Sequence, residues 1–445
     1  MRLSTSYRQI FSISLPIMLG SAAQNIIALT DSVFLYYLGE ADFAAIGFVG
    51  VFYLTITAIG YGFSKGGQII IARRMGGRQP DEVRRAFYSM LYFELALAVV
   101  MFLFMQYGCE SFFKLFINSP LILQKSLEFL EYRSWGIFAS FAGVALIALY
   151  TGIARTSFLL VEVFVLAGVN ILLGFGLIFG YWGLPAMGMA GAGLASTIAE
   201  FIGLAVFLIY MFFDKGIRPF KMLQLPKLEI KEIKNLFQLS LPIVAQAIVG
   251  LGSWFFFFGL VENMGERALA ISNLVRMVYL ILSIPSWGFA SGVNTMVSNF
   301  IGASKRAAVV PIIWKTAKMC WAVTMVISLP VVIFPQTMLY PLLGKEDMSL
   351  IVESQPVLWI LLGILSLFSI ASVYFNGLSG TGATMVGLKV QAVGVLFYVV
   401  YIYLVVEVMQ AGLVWAWAAE LFYWVFIFGY TLWYLRSKEW HRLSF

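Results

Sequence analysis

The stretch "SLPIMLGSAAQNIIALTDSVFLYYLG" (Ser14 to Gly39) carries 26 residues with a single charged side chain, Asp31, and its opening tetrapeptide returns as "SLPIVAQ" at 240–246. A run of this length and apolarity spans a hydrocarbon core of about 30 Å at about 1.5 Å per residue. The return of the motif 226 positions later says that the run opens a repeated unit. With no gap, the same shift pairs Phe11 with Phe237, Gly39-Glu40 with Gly265-Glu266, and Ala44 with Ala270. It also pairs Tyr53-Leu54 with Tyr279-Leu280, Gly62-Phe63 with Gly288-Phe289, Gly66 with Gly292, and Gly76 with Gly302.

Similar runs fill the chain. Of 445 residues 61% are apolar and 11% charged, against roughly 45–50% and about 25% in soluble domains. The runs predict twelve spans, at about 10–38, 44–72, 87–108, 122–150, 156–180, 188–213, 235–262, 268–298, 308–334, 350–378, 384–408 and 412–435. Runs this long satisfy their backbone as helices rather than as a barrel. Each repeat holds six spans, an even number, so the repeats are parallel and related by a pseudo-two-fold axis along the membrane normal. The expected fold is therefore an all-α membrane protein of two six-helix lobes, 1–214 and 235–445. The polar stretch "DKGIRPFKMLQLPKLEIKEIK" joins them, with the linker at 215–234.

The net charge of +7 reports topology rather than a nucleic-acid partner. Some 22 of the 29 Lys and Arg residues fall on one side, in "RRMGGRQPDEVRR", in the 215–234 segment and at both chain ends. Loops such as "GYWGLPAMG" carry none. The positive-inside rule puts both termini in the cytoplasm, with the chain in the plasma (inner) membrane. No signal-peptide cleavage pattern precedes the first span, which is expected to act as an uncleaved insertion signal.

Cys109 and Cys320 lie in different halves, and the single histidine, His441, sits in the C-terminal tail. A disulfide, a metal centre, His-based catalysis and a resident cofactor are all disfavoured, and no phosphate-binding or nucleophile motif is present. The expectation is a transport protein rather than an enzyme, acting as a monomer on a small amphipathic substrate within membrane lipid.

The stretches "TDSVFLYYLGEADFAAIGF" (30–48), "GFSKGGQIIIARRMGGRQPDEVRRAF" (62–87) and "GFASGVNTMVSNFIGASKRAAV" (288–309) resemble the multidrug and toxic compound extrusion (MATE) transporters. The resemblance covers essentially the whole chain in span count, repeat and glycine placement. It implies a cation-coupled antiporter of twelve helices in two lobes, exporting amphipathic compounds in exchange for protons or sodium ions.

Polar residues inside the runs are the candidate site. An intramembrane aspartate costs about 2.5–3.5 kcal/mol on insertion scales, so Asp31 needs a partner, a proton, an ion or water. Counted from the nearer span end, Asp31 lies about 10 Å below the outer edge, Asn170 about 15 Å, Ser196 about 12 Å and Glu200 about 18 Å. Gln24 precedes Asp31 by seven residues and shares its helical face. The resemblance implies coupling roles for Asp31, for Asn170 in "NILLGFGLIFG" and for Ser196 in "GAGLASTIAE". Gly174 stands where the family often carries an acid four residues after that amide, which makes a proton the simpler coupling ion than sodium. The C-terminal spans that carry acids in the sodium-coupled branch read "SLPIVAQAIVGLGSWFFFFG" and "LLGILSLFSIASVYFNGLSG" and contain none.

Glu200 recurs as Glu420 ("STIAE" and "AWAAE"), a recurrence that favours structural roles. Arg276, at the repeat position of Gly50, reaches a depth similar to Glu420, so a buried Arg276–Glu420 pair is expected. Lys65, Glu94 and Glu162 share a depth near the cytoplasmic mouth, where a lysine paired with acids is expected. Two other functions remain open on sequence alone. A flippase for a lipid-linked anionic precursor would give Arg276 a purpose, and a receptor or scaffold would transport nothing.

Overall fold

A computed structural model describes residues 3–227, 229–343, 348–437 and 439–443, without the side chains of 24, 25 and 340–343. Among the described residues there is no strand, as hydrocarbon demands of chains that pair their amides internally. Among the described residues ten helices are long and apolar enough to cross a membrane, and two bent pairs bring the total to twelve if each pair is one span.

The order of elements starts with α1 (Tyr7–Leu38), α2 (Glu40–Gly76), α3 (Pro80–Leu103) and α4 (Cys109–Phe113), a π-helical turn at 104–108 joining the last two. Then come α5 (Pro120–Arg133), α6 (Gly136–Gly152), α7 (Ser157–Phe179) and α8 (Gly188–Phe213). The second half holds α9 (Ile230–Glu262), α10 (Glu266–Leu282), α11 (Ile284–Gly302), α12 (Val309–Ile333) and α13 (Pro335–Leu343). It closes with α14 (Met348–Gly380), α15 (Thr384–Tyr403) and α16 (Leu413–Ser437). The bent pairs are α5 with α6, at 57°, and α10 with α11, at 42°. These are not repeat partners: α2, which corresponds to α10 and α11 under the 226-residue shift, runs unbroken.

The chain divides into two compact units, Leu19–Leu241 and Met1–Met18 with Pro242–Phe445. The division differs from one drawn at a 215–234 linker, because the first turns of α1 and of α9 each pack in the unit of the other repeat. The SLPI motif marks both crossings. Ser240 donates from Oγ to the Phe63 carbonyl (3.0 Å), and a Cβ added to Gly66 of α2 would lie 2.0 Å from that hydroxyl. In the other unit Ser14 meets Gly292 of α11, where an added Cβ would lie 2.4 Å from the Ser14 Oγ. Gly66 and Gly292 are repeat partners, so one close approach is written twice.

Within Leu19–Leu241 the polar stretch expected as the linker is strapped to its own unit. Arg74 pairs with Glu232 at 2.6 Å, Arg155 with Asp214 at 2.9 Å, and Tyr88 donates to the Met222 carbonyl. The unit's core is aromatic, with the Phe52 and Phe113 rings edge to face at 4.9 Å. The second unit packs Phe257, Trp417, Tyr279 and Leu361 into a core of its own. Cys109 and Cys320 are both free and buried.

Candidate functional site

The site of the first unit is assembled by helix α8, whose sequence "GMAGAGLASTIAE" allows neighbouring backbones to come very close. A Cβ added at Gly191 would lie 2.5 Å from the Leu177 carbonyl of α7, and one at Gly193 would lie 2.4 Å from the Phe129 carbonyl of α5. Small residues let membrane helices approach in this way. The approach brings the next turns of α8, with Ser196, Thr197 and Glu200, against α1, α5 and α7.

Asp31, half-buried on α1, faces this surface. Asn170 of α7 donates from Nδ2 to Ser196 Oγ at 2.9 Å, and Ser196 Oγ donates a long bond of 3.5 Å to Asp31 Oδ2. Asn170 is only 2% exposed, yet its Oδ1 has no hydrogen-bond partner. A Cβ added at Gly174 would lie 4.0 Å from Asp31 Oδ1. The layer therefore presents a carboxylate, a hydroxyl and an unused amide oxygen, all from separate helices. Among the described residues no ion pair holds Asp31. Gln24, expected on the same face, has a side chain outside the described residues.

One turn further along α8, Glu200 meets Arg133 in a bidentate pair: Nη1 to Oε2 at 2.7 Å and Nη2 to Oε1 at 2.6 Å. The Arg133 guanidinium lies over the Tyr53 ring, 3.9 Å from its centroid. Arg133 is the last residue of α5, immediately before the 57° bend. The carbonyls freed by that bend are caught by side chains, since Thr197 donates to the Tyr132 carbonyl (2.9 Å) and Gln106 to the Glu131 carbonyl (3.2 Å). Such capture is what allows a broken helix in a membrane.

The MatE family model matches residues 16–176 and 242–404, one stretch in each repeat. The chain belongs to the MatE family. Among sequence relatives, a "Probable multidrug resistance protein NorM" of Synechocystis sp. is 24% identical over 306 residues, covering 66% of this chain and 64% of that protein. The matched stretch thus spans a little under two thirds of that relative. A protein of the same description from Thermotoga maritima is 19% identical over 98% of this chain and 93% of its own. Among solved structures, an outward-facing multidrug resistance MATE transporter of the MOP superfamily superposes with a TM-score of 0.87 at 18% identity, over 97% of this chain and 96% of that one. A MOP superfamily transporter from Pyrococcus furiosus gives 0.86 at 18% identity, over 96% of each chain. The MatE fold of twelve helices in two six-helix lobes is thereby shared, and the chain is a multi-pass integral membrane protein.

Other residues of this MatE chain stand apart from the Asp31 layer. Arg276 and Glu420 do not pair. Arg276 is exposed and stacks on Phe258 at 5.0 Å, whereas buried Glu420 accepts hydrogen bonds from Tyr398 Oη and Trp424 Nε1, each at 3.1 Å. Equal depth did not imply equal direction around the helices. Lys65, Glu94 and Glu162 form no network either. Lys65 lies over the Tyr61 ring at 5.9 Å, Glu94 accepts from Ser64 Oγ at 2.9 Å, and Glu162 is 7% exposed with its Oε2 unpartnered. Glu162 instead faces α8, where a Cβ at Gly203 would lie 3.1 Å from its Oε1, and it interacts electrostatically with Glu200.

Arg133 was not singled out by the sequence reading. Its signal is blurred by its neighbours: Lys125, Glu128 and Glu131 precede it in the predicted span 122–150, so the arginine does not stand out as a lone charge in an apolar run.

Proposed function

We propose that the protein is a proton-coupled antiporter that exports amphipathic organic compounds from the cytoplasm. Asp31 carries the coupling proton, and both chain termini face the cytoplasm. The observation that carries this reading is the Asp31 layer. A carboxylate inside a span faces a hydroxyl and a buried amide with an unused oxygen, and no cation neutralises it through an ion pair among the described residues. Such a group exchanges a proton or holds a small hard cation through oxygens. The second carboxylate that would favour sodium is absent because position 174 is glycine.

The names of the relatives support drug export as the transported task. A proton on Asp31 changes its contact with Ser196, and coupling arises because proton and substrate favour different states of the carrier. The flux assay that decides this uses full-length protein in proteoliposomes, a fluorescent organic cation as probe, and proton and sodium gradients imposed separately. Efflux should follow the proton gradient, and Asp31→Asn should abolish that dependence. Gradient-driven efflux that survives Asp31→Asn removes the role assigned to this residue.

Arg276 supports a second reading. Exposed, within a span and with no acidic partner among the described residues, it suits an anionic head group. Thermal stabilisation of the purified protein by a lipid-linked sugar, and not by a dye cation, would favour a flippase.

A further inference from the structure

The enclosed face of the first unit holds two carboxylates in the field of one guanidinium. Arg133 spends its two terminal nitrogens on Glu200, at 2.7 and 2.6 Å, and also interacts electrostatically with Asp31. The two acids are linked through α8 as well, because Ser196, which contacts Asp31, precedes Glu200 by four residues and so shares its helical face. The space around the guanidinium is kept by a glycine: a Cβ at Gly136 would lie 2.3 Å from Arg133 Nη1 and 2.7 Å from Glu200 Oε2. The titratable groups facing this set are Tyr53 from α2 and Glu162 from α7. Neither is a cation, so nothing on those sides competes for either acid.

Building on the reading of Asp31 as the proton carrier, we propose that Arg133 is a positioning residue shared by Asp31 and Glu200, which divides its donors between them once the proton has left. In the observed arrangement both terminal nitrogens are bonded to Glu200. When Asp31 gives up its proton, the O–H bond on Asp31 breaks and the proton passes to solvent, which leaves a second carboxylate facing the guanidinium. Arg133 then shares its N–H donors between Glu200 and Asp31. Charge balances: the site loses one proton and gains one negative charge on Asp31.

The location of Arg133 gives this sharing a mechanical consequence. It terminates α5 at the 57° bend, where the backbone is held by side-chain bonds from Thr197 and Gln106 rather than by a continuous helix. Moving the guanidinium therefore pulls on the end of α5 next to the bend. The planar fork lets one side chain donate to two carboxylates at once, and an ammonium group cannot reproduce its bidentate geometry.

The test needs no substrate. Infrared difference spectra of the full-length protein in lipid, recorded as a function of pH, resolve the carboxyl C=O band of individual protonated acids. Asp31→Asn identifies the Asp31 band. In Glu200→Gln, Arg133 has lost its other acid, and the midpoint of the Asp31 band should move about one pH unit or more to the acid side, tenfold in proton activity. Glu200→Asp keeps the charge but withdraws it by one methylene, and should move the same midpoint in the same direction by less. It also serves if the glutamine variant does not fold. Arg133→Lys should uncouple the Asp31 midpoint from substitution at Glu200. An Asp31 midpoint indifferent to both Glu200 variants overturns the shared-cation proposal while leaving the proton reading intact. Absence of any titrating band that Asp31→Asn removes overturns the proton reading itself.

Discussion

Arg133 and Glu200 meet through two parallel bonds of 2.7 and 2.6 Å, with both side chains largely withdrawn from solvent. Removing one partner of such a pair leaves the other as an uncompensated charge, which costs about 3–5 kcal/mol. Glu200→Ala and Arg133→Ala should each lower the thermal unfolding temperature in detergent sharply. The double change to Met at both positions should recover most of the loss, since apolar replacement of a whole buried pair is often neutral. A double variant no better than the singles would mean that the pair contributes more than charge compensation.

The two copies of the SLPI motif make contacts of the same design but unequal strength. Ser240 Oγ donates to the Phe63 carbonyl at 3.0 Å, whereas Ser14 Oγ is buried without a hydrogen-bond partner. Ser240→Ala should therefore cost about 1 kcal/mol, and Ser14→Ala should be near neutral. The glycines opposite differ in parallel. A Cβ at Gly66 would meet the Ser240 backbone Cα at 3.1 Å as well as its hydroxyl, while one at Gly292 meets only side-chain atoms, of Ser14 and Ile13. Gly66→Ala is expected to destabilise by about 1–3 kcal/mol and Gly292→Ala by less. Thermal melts of the four single variants check both rankings.

Much of this architecture can be read from local sequence, because run length sets the spans and the 226-residue shift sets the repeat. The Asp31 layer was also readable, since Asp31, Asn170 and Ser196 share a depth and the glycines of α8 bring their helices together. What depth cannot supply is direction around the helix axis, which turns about 100° per residue and is fixed by packing partners. Arg276 and Glu420 were expected to meet on depth alone. Packing turns the first outward and buries the second beside Tyr398 and Trp424. The place of Arg133 depends on tertiary contacts, such as the Thr197 bond to the Tyr132 carbonyl, and the crossing of the first turns of α1 and α9 on contacts such as that of Ser240 with Phe63, which no single run of sequence encodes.

Because Arg276 and Glu420 are separate, their substitutions should act independently. Arg276→Ala removes an exposed side chain and should change stability by no more than about 0.5 kcal/mol. Glu420→Ala orphans the donors Tyr398 Oη and Trp424 Nε1, each bonded at 3.1 Å, and should cost about 1–3 kcal/mol for each donor left buried and unpaired. The double variant should equal the sum of the singles to within about 0.3–0.5 kcal/mol. A larger coupling energy in that cycle would restore the pair.

Gly174 offers a way to change the coupling ion. An added Cβ there would lie 4.0 Å from Asp31 Oδ1 and 3.6 Å from the Phe34 ring, so an aspartate fits without displacing backbone and aims its carboxylate at Asp31. Two carboxylates in one small site repel, and a cation between them relieves the repulsion. With Ser196 Oγ and the unused Asn170 Oδ1 beside them, the set offers oxygens from three helices, the donor type that hard cations take. Gly174→Asp should therefore melt at a higher temperature in sodium chloride than in choline chloride at equal ionic strength, whereas the parent protein should not distinguish the two salts. In proteoliposomes an imposed sodium gradient should drive efflux by the variant and not by the parent. Equal melting in both salts would mean that the Asp31 layer is too open, or too far from Asn170, to hold a cation even with the second acid in place.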